Sequence, residues 1–227
     1  MHFQIFVIVL WVSMTACQKD DPGTTVVEGY ESLPVAKPVN PGIIDETSGI
    51  ADSKINPGYL WVQQDSGNPN EIALLSHDGS FLKTIAINAV INRDWEDMAL
   101  ASGPVNGTNY IYLADVGDNS LAFSSYFIYR FAEPPASAAT IANVDKITFQ
   151  YPDGPHDAEA IVVDYNTKDI YIITKQDNPS RVYKLAYPQN TSSILTATFS
   201  GSLPFSGVTS AAVSPDDCSN SPRVVAG

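Results

Sequence analysis

Only two cysteines, Cys17 and Cys218, and three histidines occur in 227 residues. Two cysteines build no disulfide framework, so stability must come from burial. Basic residues are also scarce: 12 Lys and Arg stand against 25 Asp and Glu, for a net charge of −13. That balance repels phosphate backbones and anionic lipid surfaces and excludes a nucleic-acid partner. The enzyme motifs with the strongest mechanical logic are missing. There is no Gly-x-Ser-x-Gly elbow, no His-Glu-x-x-His pair and no Gly-rich loop ending in Lys-Ser or Lys-Thr. No segment carries a convincing helical periodicity, and the one long apolar run, residues 3–16, is too short to cross a bilayer as a helix.

That run has the length of a signal-peptide core and leads directly into Cys17. Met14-Thr15-Ala16-Cys17 resembles the lipobox of bacterial lipoproteins, although Met14 takes the usual leucine place and no Lys or Arg precedes the apolar core. Gln18-Lys19-Asp20-Asp21 is similar to the tag that sends Bacteroidota lipoproteins to the outer face of the outer membrane. The resemblance implies a signal peptide over 1–16, lipidation of Cys17 and an outer-membrane anchor facing the cell surface. Several acyl chains hold a membrane far more firmly than one. Residues 17–42, rich in Pro, Gly, Thr and Val, read as the lipidated cysteine and a flexible tether.

From Ile43 onward the chain repeats. One unit carries Glu46-Thr-Ser48-Gly-Ile50, then Tyr59-Leu-Trp61-Val, Ile72-Ala-Leu-Leu75, the turn Ser76-His-Asp-Gly79, and Phe81 to Ile85. A second carries Asp94-Trp-Glu96-Asp-Met98, Tyr110 to Leu113, Ile128 to Phe131 and Ile147 to Phe149. A third carries Asp157-Ala-Glu159-Ala-Ile161, Asp169 to Ile172, Val182 to Leu185 and Thr196 to Phe199, and a fourth opens at Val208 to Ser214. Equivalent positions return at intervals of about 50 to 60 residues. Four short strands per unit predict an all-β fold, a β-propeller of four-stranded blades occupying 43–227. A β-sandwich is the alternative architecture with similar strand spacing. Trp61, Tyr112 and Tyr171 share one place in the second strand and are expected to pack between blades.

These motifs resemble TolB-like six-bladed propellers, including NHL-type and SdiA-regulated-like proteins. Asp94-Trp-Glu-Asp-Met-Ala99 with Leu113-Ala-Asp-Val-Gly-Asp-Asn119 is similar to exported bacterial propeller proteins. Six blades do not fit: the chain accommodates about three and part of a fourth, and 217–227 carry little strand signal. Truncation or a shifted reading frame inside the fourth blade is therefore expected.

The candidate chemistry is carboxylate-based. Glu46, Asp94 and Asp157 form one column of the first strands and Ser48, Glu96 and Glu159 another, two residues on and hence on the same face. Asp115, Asp118 and Asp177 follow second strands and approach the same end. Crowded carboxylates are costly unless hydrated, paired or bound to a cation, and Ca²⁺ suits them. Such acids also cap strand-end backbone. Two functions follow: a surface binding or scaffold module for a small-molecule, glycan or protein ligand, or a metal-assisted hydrolase of the esterase, lactonase or phytase-like kind. The second would use Glu96, Asp97 and Glu159 as ligands or general bases.

Overall fold

The structure is a computed structural model that describes residues 35–39, 42–213 and 224–226, the last three as strand backbone. The chain divides into two units, Met1–Ala36 and Lys37–Gly227, and every described strand belongs to the second. The expected signal peptide, Cys17, residues 18–34 of the tether and Cys218 lie outside the described residues.

The described residues form an all-β fold without helices. Sheet 1 is an antiparallel meander of β1 (Thr47–Asp52), β2 (Tyr59–Gln64), β3 (Glu71–Ser76) and β4 (Phe81–Ile87). Its β3–β4 hairpin closes at the expected turn, where the Gly79 amide donates to Ser76 O at 2.9 Å. Sheet 2 runs through β5 (Trp95–Ser102), β6 (Asn109–Asp115) and β7 (Tyr126–Ala132). The chain then leaves it for β8 (Thr140–Ile141), which pairs in parallel with β4 of sheet 1, and returns as β9 (Asp145–Gln150). Sheet 3 repeats the plan with β10 (Ala158–Val163), β11 (Ile170–Thr174) and β12 (Arg181–Leu185). Here β13 (Leu195–Thr196) pairs in parallel with β9 before β14 (Thr198–Ser202) closes the sheet.

Two of these elements correct the sequence reading. Thr196 to Phe199, expected as one strand, is divided: Thr196 serves sheet 2, while Thr198 and Phe199 serve sheet 3. The intervening Ala197 is buried, which fixes the change of partner. At the C-terminal end β15 (Ala211–Val213) pairs with β16 (Val224–Ala226), so 217–227 do supply a strand. Val224-Val225 is a short β-branched pair that finds its partner in the ladder rather than in any local pattern.

Alternation along the strands builds the core. Ile111 and Leu113 of β6 join Trp61, Leu74 and Ile85 of sheet 1, whereas Tyr112 and Ala114 on the opposite face join Ile161, Ile172 and Tyr183 of sheet 3. Sheet 2 is therefore buried on both faces, which accounts for the unbroken apolar run Tyr110 to Ala114. Each fully buried side chain of this size contributes about 1.5–3 kcal/mol. Trp61 and Tyr112 are buried as expected for packing residues, while Tyr171 is half-buried. A polar tie reinforces the seam between sheets 1 and 2. Glu133 Oε1 accepts from Ser53 Oγ at 2.6 Å, Lys54 N at 3.0 Å and Trp61 Nε1 at 3.1 Å.

The first strands of successive sheets, β1, β5, β10 and β15, lie beside one another. Gly49 of β1 stands so near β5 that a Cβ there would lie 2.6 Å from the Met98 amide nitrogen. The starts of these strands and the ends of the second strands share one end of the unit, and there the acidic residues collect.

Candidate acidic cation site

Each first strand carries a bulge at the same place. The register shifts between Thr47 and Gly49, between Trp95 and Asp97, and between Ala158 and Ala160, so Ser48, Glu96 and Glu159 are the extra residues. A bulge bends its strand and re-aims the side chain it carries.

Glu96 is 7% exposed and meets no hydrogen-bond donor among the described residues. Its carboxylate converges instead on other acids. Oxygens of Asp65, Asp94 and Glu96 all lie within 4.8 Å of one another. Asp65 is the first residue after β2, Asp94 the last before β5, and Glu96 comes from the bulge. The floor is Gly117, just beyond β6, whose amide donates to Asp94 O at 3.2 Å. A Cβ at Gly117 would overlap Glu96 Oε1 and Asp94 Oδ2, so only glycine lets the two carboxylates settle there. Burial pushes the Glu96 carboxyl up to about 9, with Glu159, Asp65, Asp94 and Asp157 adding to the rise. Burial raises Asp94 too, against a hydrogen bond from Ser66.

The next sheet supplies the cluster's neighbours. Glu159 is paired with Lys175, the first residue after β11. Its carboxyl is nevertheless raised, because burial outweighs the ammonium, while Glu159 raises the Lys175 pKa in turn. Asp157 is 1% exposed. Its Oδ1 accepts the Asp118 amide at 2.8 Å, but its Oδ2 is buried without a hydrogen-bond partner. Among the described residues two cations border this group of acids: Lys175 is paired with Glu159, and Arg93 acts against the burial-driven rise of the Asp94 carboxyl.

Other expected site residues take supporting places. Asp97, adjacent to Glu96, is directed into the backbone: Oδ1 accepts the Met98 amide at 2.8 Å and Oδ2 the Ile161 amide at 2.9 Å. It fastens β5 to β10, and burial lifts its carboxyl to about 7 in spite of these amides. Asp115 is buried behind Asp94. Its Oδ1 accepts the Asp94 amide at 3.2 Å and faces Arg93 Nε at 3.4 Å, while burial raises it to about 6. Asp118 organises its own loop, accepting from the amides of Ala122 at 2.8 Å and Phe123 at 2.9 Å and from the Tyr126 hydroxyl at 2.8 Å. Glu46 is exposed and outside the cluster, and contributes its backbone carbonyl to the Asp65 amide at 3.2 Å.

Asp65 and Lys175 are members that the sequence reading did not select. Both occupy the place immediately after a second strand, so the column was visible, although Val116 holds it in the middle unit. No protein-family model matches the chain, and no curated protein matches it either.

Hard cations prefer oxygen ligands, and two oxygens on one Ca²⁺ at about 2.3–2.6 Å lie up to about 5 Å apart. The oxygens of Asp65, Asp94 and Glu96, all within 4.8 Å of one another, fall inside that limit.

Proposed function

We propose that the chain is a lipid-anchored binding module of the outer-membrane surface, built on TolB-like β-propeller blades and holding Ca²⁺ at its acidic end. The observation that carries the cation is Glu96, a buried carboxylate that meets no hydrogen-bond donor among the described residues and faces two further carboxylates. Removing such a group from water is unfavourable unless it is protonated or bound to a cation. The blade reading is supported by three meanders that stack through apolar faces with their first strands adjacent. Anchor and address rest on the residues around Cys17. A small-molecule, glycan or protein ligand is the partner such a module presents itself to.

Thermal melts in chelator and in millimolar Ca²⁺ test the cation. Ca²⁺ binding to the folded state alone raises the melting temperature with concentration. Glu96→Gln and Asp65→Asn abolish the rise. An unchanged melting temperature in Ca²⁺ refutes the site.

A metal-assisted hydrolase is the second reading, and one observation favours it. Glu159 stands beside the three carboxylates, held by Lys175 and with its carboxyl raised by burial, the direction that suits a general base working next to a bound cation. Turnover of a phosphate-ester, lactone or carboxylic-ester substrate that disappears in Glu96→Gln would select it over the binding module.

A further inference from the structure

A second polar constellation adjoins the acidic cluster, at the outer rim where sheets 2 and 3 meet. Arg181 and Tyr183 project from one face of β12, and Phe199 lies opposite Tyr183 in β14 with ring centroids 5.7 Å apart. The Tyr183 hydroxyl is 2.8 Å from Asp153 Oδ2 and 2.9 Å from His156 Nε2. His156 Nδ1 is in turn 2.8 Å from Asp177 Oδ2. Arg181 Nη1 donates to Asp153 Oδ2 at 2.6 Å, and its Nε faces Asp177 Oδ1 at 3.6 Å. The guanidinium and both carboxylates are thus fixed relative to one another by buried rings. They border an open cleft of about 500 Å³, which falls among the volumes usual for small-molecule sites.

The lining of this cleft defines its ligand. Phe199 is 51% exposed, and Pro152 and Pro179 are exposed beside the cleft, so flat apolar surface is offered to solvent. Between these faces stand fixed donors of Arg181 and fixed acceptors of Asp153 and Asp177. An anion would meet the two carboxylates, and a metal ion would have to break the Arg181 pairs. A hydroxyl group both donates and accepts, so adjacent hydroxyls engage guanidinium and carboxylate together. The C–H face of a pyranose ring lies flat on an aromatic or proline face.

We propose that this cleft is a saccharide-binding site, with Phe199 as the stacking platform and Arg181, Asp153 and Asp177 as hydroxyl partners. It stands apart from the cation cluster but shares its scaffold, since segment 156–159 carries both His156 and Glu159 and the loop after β11 carries both Lys175 and Asp177.

The test is calorimetric titration of the full chain, in chelator, with glucose, galactose, mannose, maltose, cellobiose and xylobiose. Inorganic phosphate serves as the anionic comparator. Working without divalent cation makes the outcome independent of the Ca²⁺ proposal. At least one saccharide binds at millimolar concentration or below, and Phe199→Ala weakens it by about tenfold. Arg181→Lys, which keeps the charge and loses the planar fork, weakens it as well. Asn178→Ala, at an exposed side chain lining the cleft, gives the same readout if Phe199→Ala fails to fold. The proposal is overturned if no saccharide binds, if phosphate binds in their place, or if the bound saccharide is indifferent to all three substitutions.

Discussion

Glu96 and Glu159 occupy the same bulge position in consecutive first strands, yet only Glu159 has a cation, Lys175, against it. Burial raises both carboxyls, and the ion pair with Lys175 offsets part of that rise for Glu159. Lys175 is ion-paired with one of them while sensing the charge of both, and Ca²⁺ is the proposed counter-charge of the other.

The first consequence is a pH dependence of stability. Without Ca²⁺ the folded Glu96 carboxyl titrates near 9 against an ordinary 4.5, so between those values the folded state binds more protons than the unfolded one. Stability then falls as pH rises through that window. Asp97, near 7, and Asp115, near 6, add to the fall over its lower part. Glu96→Gln flattens the slope above pH 7 and raises the melting temperature at pH 8 by a few degrees. Melts in chelator from pH 5 to 9 measure both effects.

Calcium affinity carries the opposite dependence. A cation bound at Asp65, Asp94 and Glu96 must displace the Glu96 proton, so its apparent affinity rises with pH. The Ca²⁺-induced rise in melting temperature is expected to be several-fold larger at pH 8.5 than at pH 6. An equal rise at both pH values would place the ion elsewhere.

Gly117→Ala tests the floor of the cluster. The added methyl collides with Glu96 Oε1 and Asp94 Oδ2, and relief requires both carboxylates to move. The atoms that must give way are side-chain ends, so a cost of about 1 kcal/mol, the low end for overpacking, is expected. Denaturant unfolding reads the loss, and calcium melts should show the stabilisation gone as well.

Glu133→Ala tests the seam between sheets 1 and 2. It strands the buried Trp61 indole N–H and removes the acceptor of the Ser53 hydroxyl and the Lys54 amide. A loss of about 2–4 kcal/mol follows, since more than one donor goes unsatisfied. Glu133→Gln keeps an acceptor oxygen and should recover much of it, as chemical denaturation of both variants would reveal.

The anchor has its own test. Cys17→Ser should abolish fatty-acid labelling and release the chain from membranes, while replacing Lys19, Asp20 and Asp21 with Ala should keep the lipid and remove protease accessibility on whole cells. Continued labelling of Cys17→Ser would refute lipidation at that residue.

Much of the fold was legible because each long strand declares itself by alternation or by a β-branched run, as in Ile170 to Thr174. Strands β8 and β13 were not legible. Two residues hold no periodicity, and their partners lie in the preceding sheet. The site was half legible. The columns of Glu96 and Glu159 followed from repetition, but Asp97 was counted among the ligands for its place beside Glu96, whereas its carboxylate accepts the Met98 and Ile161 amides instead. Asp65 escaped because its neighbours in the column are Val116 and Lys175, so no chemistry repeats there.

The parallel pairs β4–β8 and β9–β13 also set an order of completion during folding. Sheet 1 has all four of its own strands by Ile87, but its outer edge stays open until Thr140 and Ile141 emerge, more than fifty residues later. Sheet 2 likewise waits for Leu195 and Thr196. In a chain delivered N-terminus first, sheets 1 and 2 therefore each mature one sheet late, carrying an unpaired edge while the next sheet is still arriving. A slow step between the delivery of Ile87 and that of Thr140 would lengthen the exposure of the β4 edge and its opportunity to pair with another chain.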